Sequence, residues 1–141
     1  MKTLRHVSSV LLATDKQKLW DIMTEGDWTE KYMFNCRLVS DYEIGSNVDW
    51  KGSFEGQDYF LTGTLLEIES LNFFKYTLID PDQFDASDPN NFVIISYEIK
   101  EQGDKLLLTV VNETNDGNED RMKEIVGGWE GMVLPAIEAL L

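Results

Sequence analysis

Only one stretch of this chain carries a long helical pattern, and it comes last. Between Asp120 and Leu141 the apolar residues fall at positions 122, 125, 126, 129, 133, 136, 137 and 140. Steps of three and four put them on one face of a helix. What precedes this helix reads mostly as strands. A lone amphipathic helix after such a run has to bury its apolar face across the sheet. Whether it closes flush or stands off to leave a cavity then governs what the protein can do.

The strand pattern sets the rest of the architecture. Residues 3–13 read as a first strand, with Val7, Val10, Leu11 and Leu12 as its apolar content. Thr14 or Asp15 supplies an N-cap for a short helix that turns Leu19, Trp20, Ile22 and Met23 inward and ends at Gly26. Residues 27–33, rich in aromatics, read as a second short helical turn forming a lid or rim beside the sheet. Six strands follow at about 36–42, 46–55, 58–69, 71–79, 92–101 and 105–113, separated by turns such as Gly45-Ser46-Asn47 and Gln102-Gly103-Asp104. Connections this short predict antiparallel hairpins. The expected fold is α+β: a single domain over residues 1–141 in which a curved antiparallel sheet of about seven strands wraps the C-terminal helix. This is the helix-grip arrangement, with a cavity between the concave sheet face and the helix.

Two features of the last helix stand out. Pro135 removes a backbone hydrogen bond to residue 131 and is expected to bend the helix. Gly127, Gly128 and Gly131 either soften it over a cavity or let it approach the sheet closely.

Charge narrows the range of partners. Twelve lysines and arginines against 26 acids give a net charge of -14. A surface this negative repels phosphate backbones and anionic lipid heads, and no basic patch offsets it, so nucleic acid is not an expected partner. No apolar run approaches the roughly 20 residues of a membrane span, so membrane insertion is not expected either. The start of the chain lacks the apolar core and small-residue cleavage site of a secretory leader. With a single cysteine, Cys36, this fits a cytoplasmic protein, a soluble monomer or homodimer.

Chemistry has few candidates. His6 is the lone histidine, and no serine sits in a nucleophile-elbow pattern. One His and one Cys leave too few ligands for zinc. The acidic segments 80–89 and 115–120 both fail the spacing of a calcium loop, which needs Gly at the sixth and Glu at the twelfth position. No phosphate-binding glycine motif is present. No metal and no cofactor are expected, and Cys36 reads as a small apolar side chain near a strand.

Aromatic residues are the better lead. Alternation puts Trp50 and Phe54 on one face of their strand with Gly52 in the same row, Tyr76 beside Phe74 and Leu78, and Tyr97 beside Val93, Ile95 and Ile99. The candidate ligand-binding residues are Trp50, Phe54, Tyr76 and Tyr97 from the sheet, with Met122, Val126, Trp129 and Val133 from the inward face of the helix. Such a lining holds a small apolar or lipid-like molecule, with the two tyrosine hydroxyls free to bond an oxygenated one.

Three groups of residues carry a family resemblance. Leu12-Ala13-Thr14-Asp15 with Leu19-Trp20, Gly63-Thr64-Leu65-Leu66-Glu67 followed by Leu71 and Tyr76, and Gly128-Trp129-Glu130 with Leu134 and Ile137 together resemble the START-like superfamily. This superfamily is also described as Bet v 1-like or SRPBCC. Within it the chain resembles the Hsp90 ATPase activator homologue group. The chain departs from that pattern at Glu69-Ser70-Leu71-Asn72, where a proline is common, at Val110-Val111-Asn112, where a histidine is common, and at Pro135. The resemblance implies a helix-grip domain that binds a small molecule non-enzymatically. It also implies two alternatives: a protein partner, through a co-chaperone-type action on an Hsp90-like ATPase, or a cyclase- or aromatase-like enzyme, for which no acid–base pair stands out.

Overall fold

The computed structural model describes residues 2–141. Its seven strands are β1 (Leu4–Leu12), β2 (Cys36–Ser40), β3 (Asn47–Phe54), β4 (Gln57–Glu69), β5 (Phe73–Leu78), β6 (Val93–Gln102) and β7 (Lys105–Thr114). They form one antiparallel sheet in the order β1-β7-β6-β5-β4-β3-β2. Consecutive strands from β2 to β7 pair antiparallel; most are joined by short turns, while β5 and β6 pair across the longer segment 79–92. The first strand instead pairs with the last, Leu4 opposite Thr114 through Leu12 opposite Leu106. The two edges of the sheet are therefore joined in sequence by the segment between β1 and β2.

That segment holds α1 (Lys16–Thr24) and α2 (Gly26–Thr29). The Asp15 carboxylate caps α1 by accepting the Lys18 N–H at 2.8 Å. Leu19, Trp20, Ile22 and Met23 are buried, the face expected from their spacing. The stop differs from expectation. Glu25 takes extended backbone and breaks the helix, and Gly26 begins the next one. Arg37 of β2 fixes α2 by pairing with Asp27 at 2.7 Å and Glu30 at 3.2 Å.

The C-terminal helix runs through α3 (Glu119–Gly128), a π turn (Trp129–Val133) and α4 (Leu134–Glu138), with right-handed helical dihedrals at each junction. Asn118 caps it by accepting the Arg121 N–H at 3.0 Å, and Glu119 and Asp120 suit the positive end of its dipole. Pro135 acts through the turn before it. A proline ring crowds the carbonyl four residues back and has no N–H to offer it. The helix widens there, and the Leu134 N–H reaches the carbonyl of Trp129, five residues away. The extra residue shifts the phase, so that Leu134, outside the expected face, is buried together with Val133 and Ile137. A Cβ at Gly127, Gly128 or Gly131 would meet nothing within 4 Å, so these glycines serve no close approach to the sheet.

This is the helix-grip fold expected from the order of elements. The concave side of the sheet carries the core: Val48 and Trp50 of β3, Leu65 of β4, Phe74 and Tyr76 of β5, Ile95, Tyr97 and Ile99 of β6, Leu106, Leu108 and Val110 of β7. Across it lie Leu19, Ile22 and Met23 from α1 and Trp129, Val133, Leu134 and Ile137 from the helix. In β1 the pattern is weaker: Val7 and Leu11 face outward, and Ser8 and Leu12 face in.

One glycine sets the curvature. Where β4 passes from pairing with β3 to pairing with β5, a Cβ on Gly63 would lie 1.7 Å from the Thr77 carbonyl oxygen. The strands can cross this closely only because no side chain is there. Beside it the Thr64 N–H bonds the Thr77 hydroxyl at 3.0 Å instead of a backbone carbonyl. Gly63→Ala forces backbone apart and should destabilise the protein by about 3 kcal/mol. Urea denaturation measures this directly, and an unchanged midpoint would show that the crossing tolerates a methyl group.

Candidate functional site

The helix does not close flush on the sheet. Between them lies a cavity of about 400 Å³, walled by Trp50, Tyr59, Leu61, Tyr76, Leu78 and Ile95 from the sheet, Trp129 from the helix, and Met33, Phe34 and Cys36 beyond α2. A second compartment of about 330 Å³ shares Met33, Phe34, Leu61, Leu78, Ile95 and Trp129 with the first. It continues under the helix past Val93, Asn112, Arg121, Ile125 and Val133.

Short local features shape the mouth. Phe34 and Asn35 both take left-handed backbone, φ 49° and 61°, an arrangement that side-chain-bearing residues adopt at a cost. The Asn35 amide holds it by donating to the Ser53 carbonyl at 2.7 Å. Gly52 permits it, because a Cβ there would meet the Asn35 carbonyl at 2.3 Å. Phe34 is thereby presented at the rim, edge-on to Phe54 with ring centres 6.1 Å apart.

The floor is aromatic. Tyr76 of β5 and Tyr97 of β6, diagonal neighbours across the two strands, pack edge to face, and their hydroxyls lie 2.5 Å apart. The Trp50 indole N–H donates to the Tyr76 hydroxyl at 3.4 Å. The hydroxyls thus satisfy each other first. Two phenolic protons serve a single bond between the pair, so one remains to donate elsewhere. Burial pushes the Tyr76 phenol up to about 12, and raises Tyr97 and Tyr32 as well. These phenols are neutral groups suited to hydrogen bonding.

The second compartment is more polar. Arg121 is almost fully buried, yet its charge is already engaged: its guanidinium meets Asp116 at 2.9 Å and lies 3.9 Å over the Phe84 ring. Asn112 sits at 0% exposure, opposite Ile95 in the sheet.

Of the eight residues expected from the sequence, the cavity brings together Trp50, Tyr76, Trp129 and Val133 on its walls. Tyr97 lies behind Tyr76, in contact with Trp129 at 5.7 Å between ring centres. Phe54 is 39% exposed and stands outside the cavity against Phe34. Met122 is buried and Val126 half-buried, and neither reaches the cavity wall. The lid or rim expected at residues 27–33 meets the cavity at Met33, while Phe34, Leu61 and Asn112 are outside the expected site residues. The rim was legible only as an aromatic-rich turn beside the sheet. Asn112 is visible as a polar residue that follows the mostly apolar stretch 106–111.

The remaining chemical candidates are structural. Burial raises the Cys36 thiol, which makes it a poor nucleophile. His6 bonds Glu130 at 2.9 Å, and the Ser8 hydroxyl donates to the same carboxylate oxygen at 2.7 Å, which ties the π turn to β1. Asp80 and Asp85 accept from nearby backbone N–H groups and cap turns. Among the described residues no group of three or more His, Cys, Asp or Glu is placed to hold a metal ion, and no helix is long and apolar enough to cross a membrane.

The family model for Activator of Hsp90 ATPase homolog 1-like protein matches residues 13–141, so the chain belongs to that family. Among curated proteins none matches the sequence. Solved structures share the fold at low identity. ChR145 from Cytophaga hutchinsonii is 21% identical, with a TM-score of 0.80 over 99% of this chain and 96% of that one. An Hsp90 activator from Plasmodium falciparum is 13% identical, with a TM-score of 0.74 over 96% and 94%. Ara h 8.0201 is 10% identical, with a TM-score of 0.75 over 99% and 97%.

The buried phenols predict an alkaline signature. The unfolded chain ionises them near the ordinary value of 10.0, whereas folded Tyr76 holds its proton to about 12. The stability this contributes is complete below the unfolded value and is lost as pH rises through that window. Urea midpoints should therefore fall above about pH 10, and fall less steeply in Tyr76→Phe. A flat profile across that window would contradict the burial of these hydroxyls.

Proposed function

We propose that this member of the family binds a small apolar or lipid-like molecule in the cavity between the sheet and the C-terminal helix, and does so without transforming it. The observation that carries this reading is the cavity itself: about 400 Å³ with walls that are aromatic and aliphatic apart from the Tyr59 and Tyr76 hydroxyls, the tryptophan N–H groups and the Cys36 thiol. Its volume lies within the range of small-molecule sites. A fully packed interior leaves few voids larger than a water molecule, so an opening of this size is a feature of the design.

The wall chemistry favours holding over turnover. Acid–base catalysis needs a group that titrates near working pH. The buried phenols are held protonated far above it, and among the described residues no buried polar side chain is a carboxylate. The buried, unreactive thiol fits a reducing cytoplasm. Family membership supports a second reading, an interaction domain for an Hsp90-like ATPase, as in the Plasmodium falciparum activator. The cavity weighs against it as the main role, because a chaperone contact uses outer surface and needs no internal space.

Leu61 separates the readings, since it borders both compartments and is only half-buried. N-phenyl-1-naphthylamine, a neutral apolar fluorophore, should bind the wild-type protein saturably, one per chain. Leu61→Trp should fill the opening, weaken binding by about tenfold or more and leave the melting temperature close to wild type. Equal binding to both proteins would place the probe on the surface and overturn the cavity reading. Native mass spectrometry of freshly purified protein, followed by denaturing extraction, would then have to show a clean mass, and capture of an Hsp90-type ATPase would become the leading explanation.

A further inference from the structure

Asn112 is the only buried side-chain amide among the described residues, and its nitrogen and oxygen both lack a hydrogen-bond partner within the protein. The contrast with the other buried polar side chains is sharp. Ser8 bonds Glu130, Thr24 bonds the Trp20 carbonyl, Thr29 bonds backbone, and Arg121 bonds Asp116. Thr114, next to Asn112 in the same inward row of β7, is the one other exception. That row otherwise reads Leu106, Leu108, Val110, and a further aliphatic residue would continue it without leaving a buried donor and acceptor unpaired. The sequence keeps an amide where packing asks for a hydrocarbon. Departures of this kind concentrate where a protein binds or reacts.

The amide faces the second compartment of the cavity. Its edge offers one N–H donor and one carbonyl acceptor side by side. The complementary ligand group shows an acceptor and a donor along a single edge. Charge decides between candidates of that shape. Arg121, the cation on these walls, is spent on Asp116 and the Phe84 ring. The same walls carry Asp80 and Glu124, and the whole protein is at -14. An anionic carboxylate would meet a net negative field here.

We propose that Asn112 is the polar anchor of the cavity and pairs with a neutral donor–acceptor edge, a carboxamide or lactam, on a ligand whose apolar body fills the compartment floored by Tyr76. This rests on the binding reading above and adds to it the chemistry of the ligand's head.

Three naphthalenes of matched shape test it on the full-length chain: naphthalene-2-carboxamide, naphthalene-2-carboxylate and 2-isopropylnaphthalene. Binding is followed by tryptophan fluorescence and checked by calorimetry. The wild-type protein should prefer the carboxamide over the hydrocarbon and the carboxylate by about 10- to 100-fold at neutral pH. Asn112→Leu should lose that preference, still bind the hydrocarbon, and melt about 3 °C higher or more, because a buried unpaired amide is gone. Asn112→Val serves as a second variant that matches Val110. Equal wild-type affinity for carboxamide and hydrocarbon overturns the proposal and leaves the apolar-cavity reading standing. Carboxylate binding as tight as carboxamide overturns the neutral head. A preference that survives in both variants assigns it to another group. Failure of all three probes to bind the wild type overturns the cavity reading along with the anchor.

Discussion

The contact between Trp129 and Tyr97 holds the two layers of this protein at a fixed separation. Here the C-terminal helix meets the sheet edge to face, at 5.7 Å between ring centres. Tyr97 stacks on Phe74, and Phe74 meets Trp20 of the first helix. A line of aromatic rings thus runs from α1, along the middle of the concave face, to the last helix. Such rings keep a definite distance, because edge-to-face and stacked geometries are preferred over close collapse. Trp129 also borders both compartments, so the cavity opens beside this line.

The cavity follows from that spacing together with two close approaches of backbone. Gly63 allows β4 to cross tightly over β5, and Gly52 lets the segment after α2 fold down onto β3. The first bends the sheet around the helix. The second brings Met33 and Phe34 over the opening. Neither residue contributes a side chain, yet both decide where the walls stand.

Most of the fold was legible in the sequence, because hydrophobic period and turn chemistry agree along nearly its whole length. The seven strands, the capped α1 and the final helix all follow from local patterns. What was not legible depended on contacts between distant residues. Glu25 rather than Gly26 ends α1, where extended backbone interrupts the helix and the next turn meets Arg37 through Asp27 and Glu30. Phe54 shares its strand face with Trp50, but the strand end carries it past the helix and into solvent. The tyrosine hydroxyls, read as free for a ligand, are largely taken up by each other and by Trp50, a pairing that needs the register of β5 against β6. Asn112 was noticed as a departure from the family pattern. Its unpaired state could be known only once the neighbours on β6 and the helix were in place.

The π turn at Trp129–Val133 uncouples the two ends of the last helix. In an uninterrupted α-helix each residue is fixed about 100° from the last, so moving one face moves them all. Here one additional residue is taken up midway, and each half keeps its own phase. Arg121 and Ile125 face the second compartment from the first half, while Leu134 and Ile137 are seated in the closed core from the second. Residues on the first half-helix can therefore change the lining of that compartment without turning the part that keeps the domain folded. One half serves as an adjustable wall and the other as a fixed mount.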